Sequence, residues 1–302
     1  MHVGIDGGAS NTRVKLIDRE GRVRTASVAK HSSLTLGVEA AWRHIGEALA
    51  AVGVEDGDGI HLACALAGSR RVANQRAFYA GAAGFASVTL CSDGHAGVLG
   101  AHGGGAGAAV SIGTGIVGNC VTAAGEARQV GGWGFPVRDE ASGAWLGRKV
   151  LAEALRVLDG YPVEATALHS EVLAAVGGTV DAISDWTFQA PSTRYATLAP
   201  LVAAAAAKGD AAGLRLMRLA AAEVALVVDA LDPGGSLPLC LAGSLAGAIV
   251  AASDERIRAR VQPSRGDACD GALLLAQGRA RSDLDVVEGE GRPHHPLDMR
   301  AG

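Results

Sequence analysis

The chain opens with three short segments in which apolar residues are interleaved with polar ones, at residues 2–6, 12–18 and 22–28. Such segments are typical of half-buried strands, and the Gly-containing turns between them favour hairpins. We therefore predict a β-meander at the start of the chain.

The pattern then changes to strands that alternate with helices. Apolar residues between positions 38 and 52 recur at helical spacing, whereas residues 60–66 and 88–91 are apolar runs typical of buried strands. This alternation indicates a mixed sheet that is covered by helices.

A Gly-rich stretch at residues 103–107 separates two parts of the chain that follow one plan. After it, strands at 108–112 and 116–121 flank the turn Gly113-Thr114-Gly115, just as the first two strands flank a turn. This echo is what two domains of common design would show. The flexible Gly-rich stretch is a suitable domain boundary.

Beyond residue 141 the pattern favours helices, notably at 144–158 and in the Ala-rich region 195–231, before a final strand at 237–242. Residues 283–302 combine charge with proline, so we predict that they are disordered. Truncation of this tail is then expected to be tolerated.

Composition, charge and cysteine spacing argue against several classes of function. The chain has 302 residues, about twice a typical domain, and a formal net charge of −4 without a basic stripe, which argues against nucleic-acid binding. The apolar stretch 198–207 is too short for a membrane span, and the N-terminus lacks the features of a secretory signal, so a cytoplasmic protein is expected. The five cysteines are widely spaced, which favours buried thiols over disulfides or metal ligands.

The first candidate site is the turn between the first two strands, at residues 7–11. Its exposed backbone amides and the hydroxyls of Ser10 and Thr12 suit phosphate oxygens, while Asp6, at the strand end, suits Mg²⁺ or its bound water. An ordinary Gly-rich hairpin is the alternative.

Two further Gly-rich segments suit a nucleotide. Residues 111–115, in the second half of the chain, repeat the order of a strand followed by a Gly-containing turn. Residues 241–247 lie where a strand meets a helix. A nucleoside can approach backbone that lacks side chains, although any single glycine could serve close packing instead.

Asp93 follows the apolar strand 88–91 and so lies at the carboxyl end of a strand. A carboxylate at this place in an α/β fold can accept a proton from an attacking hydroxyl. The alternative is that Asp93 caps the following helix. For His95 we predict a position on the helix surface.

In their order along the chain, these segments resemble the phosphate-1, catalytic, phosphate-2 and adenosine motifs of the actin-like ATPase superfamily, which includes hexokinase and the heat-shock chaperone ATPases. Within it the chain is most similar to the branch of N-acetylglucosamine kinases and bacterial glucosamine kinases, with a BadF/BadG/BcrA/BcrD ATPase-type domain. The residues that carry this closer resemblance are 65–68, Ser92-Asp93, 131–136, 139–143 and 270–273.

The resemblance implies an α/β fold of two actin-like, ribonuclease H-like, mixed-sheet domains with a hinge and an interdomain cleft. The expected domains are residues 1–107 and 108–269, with a C-terminal helix near 270–282 returning to the first.

The resemblance also implies roles for individual residues. The implied contacts to ATP and its phosphates are Gly8, Ser10, Asn11, Thr12, Gly113, Thr114, Gly115, Gly243 and Ser244. The implied sugar contacts are Ser33, Asp93, Gly131, Gly132, Trp133 and Asp139, with a helix cap as the alternative for Asp139. Asp93 would be the general base, and Asp6 would hold Mg²⁺, directly or through water.

The activity implied is ATP-dependent phosphorylation of an amino sugar at its 6-hydroxyl, with glucosamine first. N-acetylglucosamine is the alternative, because Trp133 stands where the bacterial glucosamine kinases can carry Arg. More distant alternatives are an activator ATPase, which needs cysteine ligands for an iron-sulfur cluster shared between subunits, and a nucleotide-binding module without turnover. The oligomeric state stays open, with a homodimer among the options.

Overall fold

The computed structural model describes residues 1–284. Within this range the strands are β1 (His2–Gly7), β2 (Thr12–Ile17), β3 (Val23–Val28), β4 (His61–Leu66), β5 (Ser87–Cys91), β6 (Gly107–Ile112), β7 (Ile116–Val121), β8 (Ala127–Gly131) and β9 (Leu239–Ala242). The helices are α1 (Val38–Ala51), α2 (Val72–Ala80), α3 (Asp93–Ala101), α4 (Gly143–Leu158), α5 (Ala167–Ala175), α6 (Val180–Thr187), α7 (Ser192–Ala196), α8 (Ala199–Ala207), α9 (Ala211–Leu231), α10 (Ala246–Ala252), α11 (Glu255–Arg258) and α12 (Ala268–Ala276). Among these helices, none combines the length and the apolar character that crossing a membrane requires.

The chain forms two compact units. Among the described residues, unit 1 contains residues 1–104 and 265–284, and unit 2 contains residues 105–264. Each unit has its own cluster of buried apolar side chains. The first crossing point lies close to the boundary expected at 107, whereas the chain returns to unit 1 at 265, ahead of the helix expected near 270–282.

Unit 1 is built on a five-stranded sheet in the order β3-β2-β1-β4-β5. The strands β1, β2 and β3 form the predicted antiparallel meander, and β4 and β5 run parallel to β1. The carboxyl ends of β1, β4 and β5 therefore meet at one edge of the sheet. Segments that follow these strands are brought together there.

Helix α12 packs closely on β1 and α3 because glycines line the contact. A Cβ atom at Gly4 would lie 2.5 Å from the carbonyl oxygen of Cys269, and one at Gly271 would lie 1.9 Å from that of Ala96. Since real Cβ atoms do not approach so closely, these positions need glycine. The close packing fixes α12 against β1 and α3 within unit 1.

Unit 2 has a four-stranded sheet in the order β8-β7-β6-β9. The strands β6, β7 and β8 are antiparallel, and β9 pairs parallel with β6. The turn that joins β6 to β7 and the loop that follows β9 are consequently at the same edge of this sheet. Its apolar core is shared with helices that include α4, α5, α8 and α9.

The segment expected to be disordered starts at Asp283, and this expectation is wrong for that residue. The Asp283 side chain is only 1% exposed and accepts hydrogen bonds from the backbone and hydroxyl of Ser92. Residues 285–302, the rest of the predicted tail, lie outside the described residues.

Candidate functional site

Two carboxylates lie at the carboxyl edge of the unit 1 sheet. Asp6 is the second-last residue of β1, and Asp93 follows β5 as the first residue of α3. The two are close enough for the charge of Asp93 to raise the pKa of Asp6. The strand order thus brings together the residues expected to hold Mg²⁺ and to act as the base.

Asp6 is held by an arginine to which the sequence analysis gave no role. The Arg13 Nε donates to Asp6 Oδ2 at 2.9 Å, a second Arg13 nitrogen pairs with the same oxygen, and Arg13 Nη1 donates to Asp267 Oδ2 at 2.8 Å. Burial raises the pKa of Asp6, while the Arg13 guanidinium opposes that rise. Arg13 therefore favours the ionised form of Asp6.

The donor set around Asp6 fits Mg²⁺, which prefers carboxylate oxygens and retains several waters. Both bonds from Arg13 go to Oδ2, so Oδ1 is the oxygen left to face a cation among the described residues. A second carboxylate, Asp93, adds negative charge nearby.

The β1–β2 turn presents three of its expected phosphate contacts to solvent. Ser10 and Asn11 are exposed and Gly8 is half-buried, with the Gly8 amide donating to the Asn11 carbonyl at 3.2 Å. Thr12 is different: it is 0% exposed, and its hydroxyl lies 2.8 Å from both Lys30 O and Ser32 Oγ. The Thr12 hydroxyl is thus engaged inside unit 1, and its expected phosphate contact stays a prediction.

Ser33, an expected sugar contact, is buried. Its Oγ lies 2.7 Å from the Thr35 hydroxyl and 3.4 Å from the Ala67 carbonyl oxygen. The hydroxyl is thus engaged inside unit 1, and the expected sugar contact stays a prediction.

Asp93 is exposed, and it does not cap α3. The cap is Ser92, whose hydroxyl accepts from the His95 amide at 3.2 Å, so the alternative role for Asp93 is wrong. Asp93 Oδ1 accepts from the amide of Gly94 at 2.9 Å. His95 is buried and donates from Nε2 to the Arg281 carbonyl at 2.8 Å, which corrects the expectation of a surface histidine.

In unit 2, helix α4 fixes the turn between β6 and β7. The amide of Gly143 donates to the Gly113 carbonyl at 2.8 Å, and that of Ala144 donates to the Thr114 carbonyl at 3.2 Å. Two amides that a helix start leaves unpaired are satisfied in this way. Gly113 and Thr114 themselves are exposed, so the turn offers Thr114 to a ligand from a fixed position.

The same turn borders a cleft of about 410 Å³ within unit 2. Its lining combines the β6–β7 turn with the segment after β9 and with helices α7 and α8: Gly113, Thr114, Gly143, Thr193, Ala196, Thr197, Ala199, Pro200, Ser244 and Leu245. Gly243, which precedes Ser244, packs against β6, since a Cβ atom there would lie 2.0 Å from the Ile112 carbonyl oxygen. The two Gly-rich segments expected to hold ATP therefore meet at one cleft.

The loop after β8 carries the remaining expected sugar contacts. Gly131 and Gly132 have φ angles of 79° and 78°, a region that favours glycine. Trp133, which follows, is 74% exposed. An exposed indole is available to pack against a ligand.

Asp139 lies at the far end of this loop, where it is 7% exposed and has a φ of 76°. Its carboxylate contacts Gly115, since a Cβ atom there would lie 2.6 Å from Asp139 Oδ2. The cap of α4 is Ser142, whose hydroxyl accepts from the Trp145 amide at 3.1 Å, so Asp139 is not that cap.

Comparison with known protein families shows which family the chain belongs to. The family model described as the BadF/BadG/BcrA/BcrD ATPase family matches residues 3–276. The chain belongs to this ATPase family.

Individual relatives agree with this membership. The chain is 30% identical over 281 residues to the glucosamine kinase GspK of Vibrio cholerae, a match that covers 91% of this chain and 95% of that protein. A crystal structure of a Chromobacterium violaceum protein provisionally named an N-acetylglucosamine kinase is 34% identical, with a TM-score of 0.80 over 91% of this chain and 98% of that one.

A more distant structure shows the fold alone. The ROK-family glucokinase of Streptomyces griseus is 16% identical, with a TM-score of 0.57 over 92% of this chain and 99% of the other. The predicted α/β fold of actin-like, mixed-sheet domains is confirmed, as is the resemblance to the amino sugar kinase branch of the BadF/BadG/BcrA/BcrD ATPases.

The cysteine thiols of this ATPase lie inside the two units. All five cysteines are free and buried. Cys120, which follows the β6–β7 turn, donates to the Leu231 carbonyl at 3.4 Å from within the unit 2 core. Burial raises the pKa of Cys269 to about 12, which disfavours the thiolate form that binds metals.

Proposed function

We propose that this BadF/BadG/BcrA/BcrD-type ATPase is an ATP-dependent kinase that phosphorylates the 6-hydroxyl of an amino sugar, with glucosamine as the preferred acceptor. The observation that carries the proposal is the exposed carboxylate of Asp93 beside Asp6, at the carboxyl edge of the unit 1 sheet. The similarity to a glucosamine kinase over 91% of the chain supports it.

Unit 2 would bind the nucleotide. The cleft beside Gly113, Thr114 and Ser244 has a volume of about 410 Å³, within the range of roughly 300–1,000 Å³ that is usual for small-molecule sites. Thr114 would contact a phosphate, and the glycine backbone at 243 would let the flat nucleoside approach. Because α4 fixes the β6–β7 turn before a ligand arrives, little ordering is needed on binding.

Unit 1 would supply the proton chemistry. Asp93 Oδ1 is held by the Gly94 amide, which leaves Oδ2 to accept the proton of the attacking sugar hydroxyl. Asp6, with Ser10 and Asn11 on the β1–β2 turn, would contact phosphate oxygens and the metal. Mg²⁺ bound there supplies positive charge that offsets the phosphate oxygens.

N-acetylglucosamine is the second candidate acceptor, and a specific observation favours it. Trp133 is 74% exposed in the loop expected to approach the sugar, and an indole packs well on an acetyl methyl or on a sugar face. The similarity to the Chromobacterium violaceum protein, provisionally named an N-acetylglucosamine kinase, also supports this acceptor. The glucosamine kinase relative and the exposed Trp133 therefore favour different acceptors.

A panel of sugars tests the proposal. ADP release would be measured with glucosamine, N-acetylglucosamine, glucose and no sugar, and the phosphorylated carbon would be assigned by NMR. We expect the highest kcat/KM for glucosamine, with product at carbon 6. Trp133→Ala should lower kcat/KM more for N-acetylglucosamine than for glucosamine. A higher kcat/KM for N-acetylglucosamine in the parent protein would reverse the order, and ADP release that no sugar stimulates would contradict the kinase.

A further inference from the structure

A short segment after α12 lies against the chain on both sides of Asp93. Ser282 Oγ donates to the Leu90 carbonyl at 2.6 Å, at the end of β5. The Arg281 carbonyl accepts from His95 Nε2 at 2.8 Å, in the first turn of α3. We call residues 281–283 the C-terminal brace.

The central contact of the C-terminal brace is made by Asp283. Its Oδ1 accepts from the Ser92 amide at 3.0 Å, and its Oδ2 accepts from the Ser92 hydroxyl at 2.6 Å and from Arg70 Nη2 at 2.9 Å. The Asp283 side chain is 1% exposed. A buried carboxylate that accepts three hydrogen bonds, one of them from a guanidinium, holds its donors in a fixed geometry.

These bonds also settle the orientation of the α3 cap. The Ser92 hydroxyl has one proton, and it donates this proton to Asp283. A lone pair of the hydroxyl oxygen is therefore left to accept a hydrogen bond from the His95 amide, at 3.2 Å. Without Asp283, the hydroxyl could rotate and the Ser92 amide would lose its acceptor. Asp93 and Gly94 are the residues between these two anchored positions, Ser92 and His95.

We propose that Asp283 is a positioning residue for Asp93: through Ser92, the C-terminal brace holds the start of α3 so that the Asp93 carboxylate keeps one orientation. The inference rests on the proposed role of Asp93 as the base. It also revises the expectation that the chain can be truncated from residue 283 without effect.

The first test compares two buried aspartates of unit 1. Asp283→Ala should lower kcat by about tenfold to a hundredfold, because small misplacements of a reacting group have effects of that size, while KM for sugar and ATP changes little. Asp18→Ala is the matched control, since the Asp18 carboxylate likewise accepts three hydrogen bonds, two from backbone amides and one from an arginine, but in the β2–β3 turn. A kcat for Asp283→Ala within about twofold of the control would overturn the proposal.

A double-mutant cycle separates positioning from general destabilisation. If Asp283 acts through Ser92, Ser92→Ala and Asp283→Ala should each lower kcat, and the second substitution should add little to the first. Additive effects on kcat would contradict an action through Ser92. Where Asp283→Ala yields little folded protein, Asp283→Asn keeps the volume and serves in the same cycle.

Two truncations give an independent readout. A chain that ends at residue 287 keeps the C-terminal brace and should keep its kcat, whereas one that ends at residue 282 lacks Asp283 and should show the lower kcat of Asp283→Ala. Equal kcat values for the two chains would overturn the proposal.

The role of Asp93 is measured separately by Asp93→Asn. Wild-type turnover in that variant would reject the proposed function of Asp93, whatever the Asp283 variants do. If Asp93→Asn loses turnover but Asp283→Ala keeps the kcat of the Asp18→Ala control, only the proposed positioning role of the C-terminal brace is rejected.

Discussion

At the scale of single residues, the charge state of Asp6 is set by two opposing influences. Burial raises the pKa of this carboxyl, and the adjacent Arg13 guanidinium lowers it. Arg13 in turn is tied to Asp267 at the start of α12. Arg13 thus keeps a partly desolvated carboxylate ready for a cation.

The substitution Arg13→Gln should therefore raise the pKa of Asp6 further. NMR titration of the Asp6 carboxyl carbon measures this directly. A carboxyl whose pKa is raised on folding favours the folded state when protonated, and this contribution is lost as the pH rises through the pKa. Relative to the parent protein, Arg13→Gln should hence lose stability as the pH rises above the parent pKa of Asp6.

Arg22→Gln is the control, because Arg22 pairs with Asp18 and Glu20 in the β2–β3 turn. It should leave the Asp6 titration unchanged. An Asp6 pKa that stays the same or falls in Arg13→Gln would show that the guanidinium does not favour the ionised form.

Sequence patterns predicted local capping poorly. Asp93 and Asp139 each stand near a helix start, where aspartate is a common cap, yet Ser92 and Ser142 hold those positions. Ser and Asp are similarly good caps, so propensity alone cannot choose between neighbours. The roles of Thr12 and Ser33 depended on which way a hydroxyl points, which the sequence does not encode locally.

At the scale of elements, the start of α4 and the β6–β7 turn form one structure. The helix donates two amides to carbonyls of the turn, and Asp139, in the loop before the helix, packs its carboxylate against Gly115. The position of the turn therefore depends on the loop that precedes α4.

The substitution Gly115→Ala should disturb this arrangement. The added methyl group would lie 2.6 Å from Asp139 Oδ2, and overpacking of this kind costs about 1–3 kcal/mol of unfolding free energy. Gly113→Ala is the matched control in the same turn, because a Cβ atom there meets nothing within 4 Å. Urea unfolding of both variants measures the difference.

The cause can be checked in a second background. With Asp139→Ala the obstructing carboxylate is gone, so Gly115→Ala should cost clearly less there than in the parent protein. An equal cost in both backgrounds would show that the Asp139 carboxylate is not what excludes a side chain at Gly115.

Strong periodic patterns predicted elements well, and weak ones did not. The meander β1–β3 and helix α1 lie close to their predicted bounds. Buried positions alternate along β2 and recur at helical spacing along α1. Helix α2 was not predicted: of its residues only Gln75 and Phe78 are buried, so it has no apolar stripe to detect.

At the scale of the whole molecule, contacts between distant parts of the chain were beyond sequence reasoning. Asp283 and Ser92 are 191 positions apart, and the charged composition around Asp283 predicted disorder. The composition of a segment indicates whether it can form an apolar core, but it does not predict the burial of a single carboxylate. In the same way, Thr193 and Thr197 line the unit 2 cleft without any motif that marks them.

The proposed reaction divides its tasks between the two units. The expected nucleotide cleft lies in unit 2, and the proposed base lies in unit 1. Removing the base should therefore leave ATP binding intact while stopping transfer. This separation is the central claim of the account.

Asp93→Asn tests it most directly, since Asn keeps the shape of Asp but cannot accept the proton. We expect kcat for glucosamine-dependent ADP release to fall by about 10²–10⁴-fold, with ATP affinity and thermal stability unchanged. Asp181→Asn, the same change in the first turn of α6, should match the parent protein. A folded Asp93→Asn protein that binds ATP and turns over glucosamine at the parent rate would contradict the account.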